Sequence, residues 1–186
     1  STEGKVLENP RNAPPEFIFQ KTISPEKAKN KVVKVKIGFH NSDPVSINGK
    51  KYKPEFLLEK LNKIGGANGV GRVDLVENRF IGIKSRGVYE TPGGTILYFA
   101  HRAMESVTLD KATMHAKERI MPLYAELVYN GYWFSKKRLN LQKIIDKKRN
   151  QVNGEIVLKI YKGNITILSR RSKNNAYSLK KVSFEE

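Results

Sequence analysis

The sequence predicts an α+β domain in which packed helices cover a largely antiparallel sheet. Three observations carry that expectation. Val33 to Phe39 and Ile156 to Ile167 alternate apolar and polar residues with a period of two, as half-buried strands do. Stretches opening near Pro54, Pro92, Asp110 and Ser135 repeat apolar residues at helical spacing. The resulting order is strands, helix, strands, three helices, hairpin, which is the segregated order of an α+β fold.

Taken in order, residues 1–31 hold Pro10, Pro14, Pro15 and Pro25 among scattered polar residues. They read as an extended connecting arm without regular structure, and residues 32–186 as the folded domain. Val33, Val35, Ile37 and Phe39 point one way and Lys34 and Lys36 the other. Ile47-Asn-Gly-Lys50 is a hairpin signal. Pro54 opens a helix with Leu57, Leu58, Leu61 and Ile64 on one stripe, and Gly65-Gly66 is expected to stop it. Residues 76–94 read as strand, turn, strand. Thr91-Pro92 is an N-cap pattern for a helix carrying Ile96, Ala100, Ala103, Met104 and Val107. Asp110 caps the next, with Ala116, Ile120, Leu123, Leu127 and Val128 inward, Pro122 as a kink site and Gly131 just past the end. Ser135 caps a helix to about Asn150 through Leu141, Ile144 and Ile145. A final hairpin turns at Lys162-Gly-Asn164.

At 186 residues and 21.2 kDa the chain suits one domain, and 39% hydrophobic residues suffice for a core under a polar surface, mean hydropathy −0.53. With no cysteine there is no disulfide framework, thiolate metal site or cysteine nucleophile, which fits a reducing cytoplasm. No apolar run approaches the ~20 residues that span a bilayer. The chain begins at Ser1 rather than Met and without a leader, so it reads as a piece of a longer protein. A formal charge of +17 raises the alternative of a basic nucleic-acid-binding module. Lysine supplies most of that charge, spread along the chain with loose clusters at 27–36, 136–149 and 170–181. Such surfaces are more often solvated than phosphate-reading, for which the Arg fork is better suited.

The most informative stretch is 76–94. Asp74, Glu77, Arg79, Lys84, Arg86 and Glu90 are set among Phe80, Ile81, Ile83 and Val88, with Gly82, Gly87, Gly93 and Gly94 between. Charges against apolar neighbours are costly unless paired or liganded. The block therefore reads as the wall of a polar site or as an ion-pair ladder on the wet face of a sheet. No complete catalytic device appears. His40, His101 and His115 lack partners at metal-ligand spacing, and Ser1, Ser85 and Ser135 lack an adjacent His and acid. Gly65 to Gly71 is glycine-rich but runs from helix to strand, opposite to a phosphate loop. Tyr132-Trp-Phe134 reads as core ahead of a base-stacking platform. Thr91-Pro-Gly-Gly94 either holds a carboxylate at a helix N-terminus or lets the helix pack closely.

Gly69-Val-Gly-Arg-Val-Asp-Leu-Val-Glu-Asn-Arg-Phe-Ile-Gly-Ile-Lys-Ser-Arg-Gly-Val-Tyr-Glu-Thr-Pro-Gly-Gly-Thr95 resembles the most recognisable stretch of the C-terminal half of the argininosuccinate synthase family. Ser1-Thr-Glu-Gly4, Leu7-Glu-Asn-Pro10, Tyr124 to Ser135 and Leu158 to Asn164 extend the resemblance, which runs from Ser1 to Phe184. The family is a cytoplasmic, homotetrameric ligase of arginine biosynthesis. It joins citrulline to aspartate with ATP, used with Mg2+ as co-substrate: the ureido oxygen attacks the α-phosphorus to give citrullyl-adenylate and pyrophosphate, and aspartate's amine displaces AMP. Its Ser-Gly-Gly-x-Asp-Thr and Gly-x-Thr-x-Lys-Gly-Asn-Asp signatures do not occur here. The resemblance therefore implies a citrulline-binding and multimerisation domain cut away from its nucleotide-binding domain and C-terminal oligomerisation arm, inactive by itself. It implies citrulline contacts for Ser1, Glu77 and Tyr89, with no catalytic or metal-ligating residue assigned. Arg79 and Arg86 are expected to neutralise Glu77, Glu90 or Asp74 and hold the wall in place.

Overall fold

The computed structural model describes residues 4–174 and 176. A five-stranded sheet forms from β1 (Val33–His40), β2 (Asp43–Ile47), β3 (Lys50–Lys51), β6 (Gly154–Tyr161) and β7 (Asn164–Arg171). Its order is β3-β2-β1-β6-β7, and every pairing is antiparallel. Between them in sequence lie α2 (Pro54–Gly66), a separate hairpin of β4 (Arg72–Asn78) and β5 (Lys84–Glu90), then α3 (Pro92–Thr108), α4 (Lys111–Tyr129) and α5 (Lys136–Asp146). A short α1 (Gly4–Glu8) and a 3-10 turn (Glu16–Ile18) punctuate the N-terminal segment.

β1 takes the centre of the sheet because its alternation is the cleanest: Val35, Ile37 and Phe39 are buried and Lys34 and Lys36 are not. Ile156, Leu158 and Ile160 of β6 continue that inner face, and Leu57, Leu61, Ile96, Ala100 and Met104 of α2 and α3 cover it. Three two-residue turns join the strands, at Asn41-Ser42, Asn48-Gly49 and Lys162-Gly163, each with positive φ at both positions. That geometry matches the right-handed twist of the strands it connects. The first of these contains no glycine and carries no sequence signal of comparable strength.

Several local expectations are revised. α2 does end at Gly66, but Gly65 and Gly66 are its last two residues and both are buried. A Cβ on Gly65 would stand 2.9 Å from Pro92 Cβ, and one on Gly66 would overlap the Lys21 carbonyl oxygen, so the glycines permit close packing. Thr91 stands at the N-cap position of α3 but its side chain caps nothing; the Gly93 N–H is taken instead by Asn62 Oδ1 of α2, at 2.8 Å. Pro92 and Gly93 are buried against α2, which favours the packing role of Thr91-Pro-Gly-Gly94.

Asp110 does cap α4, accepting from the Thr113 N–H at 2.9 Å. Gly131 does close it: Gly131 N–H donates to Val128 O and Tyr132 N–H to Leu127 O, a Schellman pattern. Pro122 lies inside α4 without ending it. No residue of α4 is fully buried, however. Ile120, Leu123 and Leu127 are half-covered, while Ala116 and Val128 are exposed. A cleft of about 820 Å³ opens between α3, α4 and α5, lined on α4 by Lys117, Glu118, Met121, Pro122, Tyr124 and Ala125. Ser135 caps α5 as expected, but the helix ends at Asp146 and a 3-10 turn covers Arg149–Gln151. Tyr132, Trp133 and Phe134 are exposed, Phe134 to 87%, so this cluster is not core. No helix among the described residues is long and apolar enough to cross a membrane.

Candidate functional site

The β4–β5 hairpin stands apart from the main sheet and carries the charged block. Its register sets Val73 opposite Tyr89, Asp74 opposite Val88 and Glu77 opposite Ser85. Among the described residues of this block, Glu77 alone meets two hydroxyls. Tyr89 donates its hydroxyl proton to Glu77 Oε1, and Tyr129, arriving from the end of α4, donates to Oε2 at 2.8 Å. Arg79 Nη1 stands 3.7 Å from the same Oε2, and only a tenth of the Glu77 side chain is exposed. The Tyr89 hydrogen bond first, the Tyr129 one second and the Arg79 charge beyond them outweigh partial burial and hold the Glu77 carboxyl below its ordinary value. The same bonds push both phenols up, so each stays a donor.

Glu77, Asn78, Arg79 and Phe80 form one side of a cleft of about 620 Å³, and Ala125, Glu126, Tyr129 and Asn130 form the other. An ionised carboxylate on such a wall can accept from an ammonium or amide-like N–H, and the phenols can orient it. Ser1 lies outside the described residues. Glu77 and Tyr89 are thus brought into direct contact, and Tyr129, which sequence reasoning left inside a helix, joins them.

The remaining charges hold the hairpin in place. Arg86 forks onto Asp74, with Nε to Oδ1 at 2.9 Å and Nη2 to Oδ2 at 2.6 Å, and donates from Nη1 to the carbonyls of Asn9 and Asn12. Among the described residues, no arginine forms an ion pair with Glu90. Its carboxylate accepts from the N–H groups of Gln20, Lys21 and Thr22 and from the Thr22 hydroxyl, all between 2.6 and 2.9 Å. Arg72 pairs with Glu16 at 2.7 Å, donates to Thr22 and lies over Phe19, 3.9 Å from its ring centre. The N-terminal segment is thereby clasped to the base of the hairpin.

A second polar cluster lies at the floor of the larger cleft. Buried Glu105 pairs with Lys117, His101 Nδ1 stands 3.6 Å from Glu105 Oε2, and His101 Nε2 lies 2.7 Å from Ser42 Oγ. Burial, the largest influence, pushes the His101 pKa down. The histidine ties the Asn41-Ser42 turn to α3, and the Ser42 N–H serves Val152 O.

The family model described as "Arginosuccinate synthase C-terminal domain" matches residues 1–186. The chain is 72% identical over 186 residues to the argininosuccinate synthase of Pelagibacter ubique, covering all of this chain and 47% of that protein. It is 55% identical to that of Mesorhizobium japonicum and 56% identical to that of Brucella suis, again along its full length and over 46% of each relative. The chain therefore spans about half the length of the curated relatives it matches.

Proposed function

Because this chain belongs to the family of argininosuccinate synthase C-terminal domains, we propose that it supplies part of the citrulline site and the subunit contacts of an ATP-dependent ligase. That ligase joins L-citrulline and L-aspartate, releasing AMP and pyrophosphate, in a cytoplasmic homotetramer of arginine biosynthesis. In this proposal residues 1–31 are a connecting arm and residues 32–186 the citrulline-binding and multimerisation domain. ATP, with Mg2+, would be bound mainly by a nucleotide-binding domain whose signatures this sequence does not contain.

One observation carries the assignment of substrate. The Glu77 carboxylate is ionised, nearly covered and held by two phenols on the wall of a cleft. Citrulline offers an ammonium, a carboxylate and a neutral ureido group. Glu77 would accept from the ammonium or from ureido N–H, with Tyr89 orienting it and Ser1 adding a hydroxyl contact. In this proposal none of Ser1, Glu77 and Tyr89 transfers a proton at the reacting centre.

The test is Glu77→Gln in the complete synthase, which keeps the shape and removes the charge. The citrulline KM should rise roughly thirtyfold to a thousandfold, from the ~2–4 kcal/mol lost on removing one partner of a close charge pair, with the ATP KM unchanged. An unaltered citrulline dependence would return Glu77 to a structural ion-pair ladder. Residues 1–186 alone should release no pyrophosphate from ATP, since the reacting atoms must be brought within bonding reach of each other.

A further inference from the structure

Glu77 and Tyr89 belong to one hairpin, and their contact follows from its register. Tyr129 does not. It is the last residue of α4, reaches Glu77 Oε2 at 2.8 Å across 52 residues of sequence, and forms the opposite wall of the same cleft. Half of its surface stays exposed, so its ring is not there to fill a core. The helix carrying it has no fully buried residue.

We infer that Tyr129 is a positioning residue of the candidate citrulline site, setting the orientation and charge of Glu77 from across the cleft. This rests on the citrulline reading of Glu77. With Tyr89 on Oε1 and Tyr129 on Oε2, both oxygens are held, on a side chain that lines the cleft. A carboxylate so held is pre-oriented for an ammonium or ureido N–H and loses little freedom when that group arrives. Tyr129 touches Glu77 rather than the substrate's reacting atoms, so its effect is on binding.

The groups facing Glu77 are Tyr89 from β5, Arg79 just past β4, and Tyr129 with Glu126 from α4. Removing the Tyr129 hydroxyl takes away one donor to the charged form and leaves Arg79 and Tyr89 in place. The Glu77 pKa then moves up towards its ordinary value, and the acid limb of citrulline binding moves with it.

The experiment compares Tyr129→Phe and Glu77→Gln in the complete synthase, measuring KM for each substrate, kcat, the pH profile of kcat/KM for citrulline, and thermal stability. For Tyr129→Phe the citrulline KM should rise roughly three- to tenfold, the net scale of one hydrogen bond. The ATP and aspartate KM values and kcat should hold, and the acid limb should shift to higher pH. If Glu77→Gln impairs citrulline binding while Tyr129→Phe changes neither KM nor the acid limb, the role of Tyr129 is refuted and the citrulline site stands. If Glu77→Gln leaves citrulline untouched, the site reading falls and this inference with it. A Tyr129→Phe variant that loses all three substrates together with stability would make Tyr129 a packing residue and overturn the positioning role.

Discussion

Gly66→Ala separates two accounts of the Gly65-Gly66 pair by the sign of its effect. Were these glycines a helix stop on an open surface, alanine would gain about 0.4–1 kcal/mol by limiting the unfolded chain and favouring the helix. The tertiary arrangement predicts the opposite. A Cβ on Gly66 overlaps the Lys21 carbonyl oxygen and lies 3.4 Å from its carbon. Relief requires the segment to retreat by roughly an ångström, given ordinary contact distances. That segment cannot retreat freely. Ile23 N–H donates to Gly66 O at 3.0 Å, and Glu90 clasps the N–H groups of Gln20, Lys21 and Thr22. Overpacking costs about 1–3 kcal/mol, and loosening one or two of these bonds adds about 1 kcal/mol. Against the propensity gain, the net is about 2 kcal/mol of destabilisation. For a chain of 186 residues this lowers Tm by about 4–8 °C. Thermal unfolding followed by circular dichroism, beside an exposed Gly82→Ala control, measures it. Gly82 has open space around its Cβ but a φ of +83°, so its cost is backbone strain alone. A Gly66→Ala protein as stable as wild type, or more so, would refute the packing argument.

Glu90→Gln should free the clasped N-terminal segment. Burial pushes the Glu90 carboxyl up, but bonds from Thr22 and the N–H groups of Gln20 and Lys21 outweigh it and hold its pKa below the ordinary 4.5. The clasp is therefore at full strength above that value and is lost as pH falls through the lowered one. Faster hydrogen exchange at Lys21 and Thr22 in the variant, with a loss of about 1–2 kcal/mol after allowing for solvent screening, is expected; unchanged exchange would show that other contacts hold the segment. On the alternative of nucleic-acid binding, the +17 charge should give only weak, sequence-indifferent binding to duplex DNA that falls steeply with salt. Submicromolar, sequence-selective binding at ~150 mM salt would instead establish a nucleic-acid function.

Much of the fold is legible locally. Period-two alternation sets β1 and β6 on the core because one face of a strand is buried and the other wet. Asn48-Gly49, Asp110, Gly131 and Ser135 mark turns and caps through chemistry confined to a few neighbouring residues. The charged block was legible too, and Asp74, Arg79 and Arg86 pair much as their spacing along two strands suggests. What could not be read depends on which distant surface an element meets. Gly65 and Gly66 mark the end of α2, but their packing role is visible only once Pro92 and Lys21 are placed against them. The stripe on α4 and the aromatics at 132–134 look like core, but the folded chain leaves them half-covered or exposed. Glu90 looks like half of an ion pair until three consecutive N–H groups from residues 20–22 converge on it. Tyr129 acquires a role only when α4 ends beside Glu77. Propensity, periodicity and capping are short-range energies carried by the sequence itself. Close approach, exposure and the sharing of one carboxylate by two elements are properties of contacts between remote segments, and only the folded chain decides them.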